Sequence, residues 1–456
     1  MDRKPQFERL EGTSRDLALE VLYYCNREGM FAHRALETAA MRSRPPASVR
    51  KSATEMAFGA IRRMLTLDYA IEKASGRAMG EIDPILADIL RIASYQFSYM
   101  RSEAGYAVVD SAVEQAKRLS HKGASGFVNA VLRKMSAPGF TAPLPDREGD
   151  PAHWLSVSES HPRWMVDDWI ARFGFDNAYA MCRYDNDVPP ASVRPNPMKA
   201  EASGLASMLL EIGIESEPGR LSASALVLKS WDRVTSNPLF TGGYYSVQDQ
   251  ASMLVAEALG LMPGETVLDI CSAPGGKACH AAEIMGDEGR VIAADANAKR
   301  LRLVKENARR LGLKSVEAVV SDAACVHEAY EGTADAVIAD LPCSGLGVLA
   351  RRPDARWRKD AHQARSLAEA GASMLDSAAR CLKKGGRMVF STCTVTAEEN
   401  EAQLKGFLER HPDFGAVPLE RLEGLGISMP GSGYAQLLQG VHGSDGFFIS
   451  LISRRI

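Results

Sequence analysis

Val267 to Lys277 reads V-L-D-I-C-S-A-P-G-G-K, and no other stretch so narrows the choice of fold. Val267, Leu268 and Ile270 make the short apolar run of a buried parallel strand. Pro274 cannot continue a sheet interior, and Gly275 and Gly276 let the backbone turn tightly and approach a ligand without side-chain clash. From Lys277 onward Ala278, Cys279, Ala281, Ala282, Ile284 and Met285 recur with helical character. Strand, glycine-rich turn and helix predict an open α/β sheet with a nucleotide pocket at the carboxyl ends of its strands.

The turn is neither G-x-G-x-x-G nor G-x-x-x-x-G-K-[ST], so neither a dinucleotide nor a triphosphate is its natural ligand. Further apolar runs end in acids: 291–294 at Asp295, 316–320 at Ser321-Asp322, and 334–339 at Asp340. Asp295 follows Asp269 by about 25 residues, where such folds grip a ribose diol. Taken singly, each acid also resembles a helix or turn cap. Together, four strand-end carboxylates suit a ligand with ribose hydroxyls, an adenine amine and a cationic centre. S-adenosylmethionine has all three.

Two cysteines fall just beyond strand ends on the same side. Asp340-Leu341-Pro342-Cys343-Ser344-Gly345 follows one strand, and residues 388–390 lead into Ser391-Thr392-Cys393-Thr394 and the acidic Glu398-Glu399-Asn400-Glu401. A lone cysteine is usually a small core hydrophobe; two at corresponding strand ends point to thiol chemistry.

D-I-C-S-A-P-G-G-K, D-L-P-C-S-G-L-G and S-T-C-T-V-T-A-E-E-N-E resemble the motifs of the RNA cytosine-5 methyltransferases, in particular the RsmB (Fmu/Sun) branch of the Sun-type family. The resemblance implies that Cys393 adds to carbon 6 of cytosine and makes carbon 5 nucleophilic, splitting one hard step into two easier ones. It implies that Cys343 assists proton removal and release, that Asp340 touches the pyrimidine edge, and that Lys277 binds the base or lowers a thiol's pKa. The Pro-Cys pair also resembles the nucleophile motif of DNA cytosine methyltransferases, so sequence alone does not say which thiol attacks. The implied cofactor is S-adenosylmethionine, held by Cys271, Ser272, Ala273, Pro274, Gly275, Gly276, Lys277, Asp295, Arg300, Asp322 and Asp340. Ser272 and Ala278 stand where alanine and threonine are usual, and Ser321-Asp322-Ala323 replaces a G-D-G.

The formal charge of −3 does not announce an RNA partner, so phosphate contacts must come from local patches. Arg351, Arg352, Arg356, Arg358 and Lys359, with Trp357 among them, follow the Cys343 loop directly and are expected to grip phosphates and stack on a base. Eight cysteines without a C-x-x-C pair argue against structural zinc and for reduced thiols in the cytoplasm. No apolar run reaches membrane-spanning length, and Met1-Asp2-Arg3-Lys4-Pro5 has no signal region after it.

The expected chain is multidomain. Residues 1–137 carry helical periodicity, with Ser14-Arg15-Asp16 as the first cap and Ser43-Arg44-Pro45-Pro46 as a break. This all-helical domain is similar to the NusB type. A linker over 138–153 and a small α+β middle domain over 154–240 follow. Arg194 and Asn196 match the family's R-x-N strand motif and are assigned to RNA binding, and Gln248 and Asp249 to bracing the pocket. Residues 241–456 form the Rossmann-like S-adenosylmethionine methyltransferase domain, closed by a strand near 445–451. The resulting expectation is methylation of cytosine carbon 5 in RNA, foremost 16S ribosomal RNA, by a monomeric enzyme without metal or membrane. The alternatives are a transfer-RNA enzyme of the same type and a non-catalytic RNA-binding assembly or antitermination factor. The resemblance leaves the exact nucleotide open.

Overall fold

The computed structural model describes residues 7–100, 105–120, 123–427 and 431–456. The expectation about Met1 to Pro5 lies outside the described residues. The chain forms two compact units, Met1–Asp187 with Leu349–Arg358, and Val188–Val348 with Lys359–Ile456.

The first unit is helical. Ser14–Asn26, Ala32–Ser43, Ala47–Arg62, Met64–Ser75, Pro84–Tyr99, Gly105–Leu119 and Ala124–Met135 pack around a core that includes Leu19, Leu22, Met56, Ile61, Leu67, Ile71, Ile89 and Leu90. The first cap is Thr13, one residue before the expected Ser14: its hydroxyl accepts from the Asp16 amide, and Asp16 reaches back in a capping box. The break at Pro45-Pro46 is seen, with Arg44 left-handed between two helices. Helices Pro151–Ser158, Arg163–Phe173 and Phe175–Tyr184 belong to this unit, although sequence grouped most of them with the middle domain. The hydroxyl of Thr66 donates to the Val157 carbonyl, and the Leu65 amide to Ser160 Oγ.

The stretch 349–358 returns to this unit, which overturns an expectation. Arg356 is fully buried. Its Nη1 donates to the carbonyls of Arg62 (3.2 Å) and Ser160 (3.1 Å) and to Asn186 Oδ1 (3.0 Å), and its Nη2 to the Asp185 carbonyl (2.8 Å). Trp357 packs against the helical core, and its indole N–H donates to the Ile61 carbonyl. Arg358 donates to the carbonyls of Gly29 and Met30. The basic run is therefore mainly an internal strap: Arg356 has no surface for a phosphate, and Trp357's polar edge is taken. Arg352 is exposed and Arg351 half-buried.

The second unit holds two sheets. The smaller has the order β2-β3-β1-β4, with β1 Ala191–Pro195, β2 Ser216–Pro218, β3 Leu226–Leu228 and β4 Tyr245–Val247, covered by helix Ala202–Glu211. The larger comprises β5 Thr266–Asp269, β6 Arg290–Asp295, β7 Val316–Val320, β8 Ala334–Asp340, β9 Leu382–Thr392, β10 Phe414–Val417, β11 Tyr434–Leu437 and β12 Phe447–Arg454. Its order is β10-β12-β9-β8-β5-β6-β7, with β11 also on β12. Strands β5 to β9 run parallel, and β12 closes the sheet antiparallel to β9. The chain runs outward from β5 to β7, then crosses to β8 on the other flank of β5. That reversal opens a crevice at the carboxyl ends of β5 and β8, where open α/β sheets bind ligands. Among the described residues no helix is long and apolar enough to cross a membrane.

An Arg356→Met variant should lose about 3 kcal/mol of stability in the helical unit, because four backbone and amide acceptors are left without their charged donor. Urea titration followed by far-ultraviolet circular dichroism checks this; an unchanged midpoint would contradict the strap.

Candidate active site

Four strands deliver acids to one edge. Asp269 ends β5, Asp295 ends β6, Asp340 ends β8, and Asp322 lies two residues beyond β7. The turn after β5 is drawn onto the helix Ala298–Leu311: Gly275 has φ +98°, and a Cβ there would meet Val304 Cα at 3.0 Å. Asn307 donates to the Pro274 carbonyl, and Arg300 to the Ala273 carbonyl. Asp295 accepts from the amides of Ala273 (3.2 Å) and Asn297 (2.8 Å), so its carboxylate is fixed where β6 ends. Asp322 is exposed and accepts from the Ala324 amide. Cys271 is half-buried, and burial above all pushes its thiol up, away from the thiolate form.

Asp269 is the electrostatic anomaly. It is buried, and neither carboxyl oxygen has a hydrogen-bond partner. Burial first, then the Asp340 charge, push its carboxyl up to about 7, with Lys277 and weaker approaches by the Ser272 hydroxyl and the Cys271 amide opposing. A carboxylate held without a partner at the mouth of the crevice is ready for a cationic or hydroxyl-bearing ligand. Lys277 Nζ lies 2.7 Å from Asp340 Oδ2 and 5.6 Å from the centre of the Phe447 ring. Burial works against its ammonium, but Asp340 first, with Asp269 and Cys393 adding, holds its pKa raised. Ser391 Oγ donates to the other oxygen of Asp340 at 2.8 Å.

The thiols of Cys343 and Cys393 lie 3.2 Å apart. The hydrogen bond to Cys393, burial, the charge on Cys393, and then the charges of Glu399 and Asp340 raise the Cys343 thiol well above its usual value. The loops carrying them are fastened by Glu399, which the sequence reading quoted but gave no role. One carboxylate oxygen of Glu399 accepts from the Ser344 amide at 2.6 Å, the other from Ser344 Oγ (2.6 Å) and Thr396 Oγ1 (2.7 Å). Asn400 accepts from Thr392 Oγ1 and donates to the Thr394 carbonyl and Gln436 Oε1. Gly347 donates to the Cys393 carbonyl and accepts from the Gly446 amide; a Cβ on Gly347 would lie 2.0 Å from the Gly446 oxygen, so no other residue fits. The E-E-N run directly after the Cys393 strand end is the signal that marks this clamp in the sequence.

Arg194 and Asn196 are corrected. Both are buried, Arg194 at 1% and Asn196 at 0% exposure, which leaves no face for RNA. Arg194 pairs with Glu283 (2.8 Å) and donates to the Gly276 carbonyl (3.0 Å) and Gln248, tying the small sheet to the glycine turn. Asn196 donates to the carbonyls of Gly243 and Leu311. Asp249 caps the helix Gln250–Ala258. Among the described residues no three His, Cys, Asp or Glu side chains group to hold a metal.

This crevice, with acids at four strand ends and a thiol pair beside them, defines a Rossmann-like methyltransferase domain, here joined to a NusB-type helical domain and a ferredoxin-like middle domain. Three family models match: "16S rRNA methyltransferase RsmB/F" over residues 256–453, "NusB family" over 12–137, and "Methyltr_RsmF/B-like, ferredoxin-like domain" over 161–235. A relative in Bacillus subtilis (strain 168) named "Probable ribosomal RNA small subunit methyltransferase B" is 35% identical over 97% of this chain and 98% of its own length. "Ribosomal RNA small subunit methyltransferase B" of Vibrio cholerae is 31% identical over 88% of each chain. The solved structure of PH0851 superposes with a TM-score of 0.79 at 26% identity, covering 98% of this chain and 99% of the other. The chain belongs to the ribosomal RNA small subunit methyltransferase B family.

Because the folded pKa of Asp269 lies above its unfolded 3.8, its contribution to stability is full below pH 3.8 and is lost as pH rises through about 7. Asp269→Asn should therefore stabilise the ligand-free protein at pH 8 by about 1–3 kcal/mol and flatten its stability between pH 4 and 7. Urea unfolding across that range reads both effects.

Proposed function

We propose that this chain methylates carbon 5 of an unpaired or flipped cytosine in RNA, drawing the methyl group from S-adenosylmethionine and working through a transient Cys393 adduct. The observation that carries the reading is the thiol pair at 3.2 Å beside the Lys277–Asp340 ion pair. The names of the relatives favour small-subunit ribosomal RNA as the substrate.

The residues fit the donor chemically. Asp269 offers a buried, unpartnered carboxylate to a cation, Asp295 stands at the ribose position of β6, and the turn 271–276 with Arg300 gives a close backbone wall. Asp322 stands exposed beside the end of β7, available to an adenine amine. S-adenosylmethionine, when bound, supplies an electrophilic methyl group on a sulfonium.

Nucleophilic attack needs a thiolate, and an ordinary cysteine at neutral pH is mostly protonated. Cys343, within hydrogen-bonding distance of Cys393, can steady negative charge on that sulfur, and the Lys277 ammonium favours it there too. The Cys393 sulfur forms a bond to carbon 6, and the ring's electron pair moves to carbon 5, which takes the methyl group as the sulfur–methyl bond breaks with its electron pair left on the sulfur of a neutral thioether. Asp340, steadied by Lys277 and Ser391, hydrogen-bonds the pyrimidine edge while charge develops. Carbon 5 then gives up its proton, the carbon–sulfur bond breaks, and its electron pair returns to Cys393. Once the Cys393 charge is spent in the bond to carbon 6, the interaction that chiefly raises Cys343 is gone; Cys343 then gives its proton to solvent and, as a thiolate, takes the carbon 5 proton. Exposed Arg352 and half-buried Arg351, which follow this loop in sequence, remain candidate RNA contacts. Chemistry that depends on the Cys343 and Cys393 thiols suits a reducing, cytoplasmic setting.

Bisulfite sequencing of total RNA with and without this protein should reveal one protected cytosine in small-subunit ribosomal RNA. Cys393→Ser should lower turnover at least about 10³-fold, whereas Cys343→Ser should accumulate a covalent protein–RNA species on denaturing gels. Full turnover by Cys393→Ser, or trapping of a 5-fluorocytosine RNA on Cys343, would reverse the roles of the two thiols.

A further inference from the structure

With Arg356, Arg194 and Asn196 buried, the anionic substrate must find its cations elsewhere on a chain of formal charge −3. The helix Ala298–Leu311, A-K-R-L-R-L-V-K-E-N-A-R-R-L, carries them. Leu301, Val304, Ala308 and Leu311 form its buried face. Lys299, Arg302, Lys305 and Arg309 are all exposed and follow one another at spacings of three, three and four, which puts them in one stripe of a 3.6-residue helix. The stripe is about 15 Å long at 1.5 Å per residue.

Its side chains are unengaged in a way their neighbours are not. Arg300 on the same helix is bound to the Ala273 carbonyl, and Arg310 to the carbonyls of Phe240 and Tyr245. Several other exposed cations on this unit sit in ion pairs, as in Arg290–Glu317, Arg380–Glu331, Lys383–Asp335 and Arg410–Asp376. Among the described residues Lys299, Arg302, Lys305 and Arg309 make no ion pair and no side-chain hydrogen bond. Like charges three and four residues apart repel, and the helix carries one acid, Glu306, among them. The helix is also held firmly, since its inner side is the wall against which Gly275 and Pro274 pack. A rigid, unneutralised row of cations one helix width from the glycine turn fits a polyanion running past the site.

We propose that Lys299, Arg302, Lys305 and Arg309 form a phosphate track for the RNA strand flanking the target nucleotide. This rests on the RNA methyltransferase reading above. Four contacts to a single strand would release about 0.7 counterion each.

The test uses the full chain with Lys299→Gln, Arg302→Gln, Lys305→Gln and Arg309→Gln combined, and Lys384→Gln, an exposed lysine off the stripe, as control. Binding of a short single-stranded RNA of mixed sequence is measured by fluorescence anisotropy over a salt series, and S-adenosylmethionine binding by calorimetry. The fourfold variant should bind RNA more weakly and lose about 2 to 3 from the slope of log K against log salt, with donor affinity kept and the control unchanged. An unchanged slope with donor binding intact overturns the track. That outcome is separate from the cytosine reading, which fails instead if wild-type protein leaves no bisulfite-resistant cytosine while the slope still responds.

Discussion

Two sulfurs carried on loops fifty residues apart in sequence meet at 3.2 Å, and the Glu399 carboxylate holds both loops at once. Each of its hydrogen bonds is charge-assisted and buried, so each is worth about 1.5–3 kcal/mol, against the cost of taking the carboxylate out of water. The backbone crossing of Gly347 with Gly446 fixes the same loops from the other side. The Cys343 loop thus has no freedom to drift, although it lies beyond the last residue of β8. Such rigidity is what a thiol pair needs, because proton sharing between sulfurs falls away steeply with distance.

Beside this satisfied clamp stands an unsatisfied group. Asp269 is buried without a hydrogen bond, while Asp340, further along the same edge, is matched by Lys277 and Ser391. The two acids differ because their neighbours differ: a lysine on the next helix turns toward β8 and away from β5. One acid is thereby paired and oriented, and the other pushed toward neutrality until a ligand offers it a partner. The ligand-free fold carries that cost, and a cation entering the crevice removes it.

The turn at 271–276, the four strands ending in acids and the two cysteines were legible from sequence, because each is local: a run of apolar residues, a stop, a side chain at a fixed offset. So was the break at Pro45-Pro46. The Glu399 clamp was not, since an acidic run after a cysteine reads equally as solvated helix start until Ser344 is brought to it across the sheet. Thr13 displaced the expected Ser14 as the first cap because the capping box requires Asp16 at its third position.

The basic run after Cys343 misled for a reason that is general. Charge in a sequence says nothing of where the carbonyls are, and Arg356 finds three backbone carbonyls and an amide oxygen converging on one buried point. A guanidinium, planar with five donors, suits such a cluster as well as it suits phosphate. The R-x-N pair repeats the lesson in β1, where Arg194 meets Glu283 and the Gly276 carbonyl. What separates a structural arginine from a binding one is whether its donors are already occupied. By that criterion the unpaired row on the helix behind the glycine turn, more than the largely occupied cluster that follows Cys343 in sequence, is the surface on which a polyanion gains the most by replacing water.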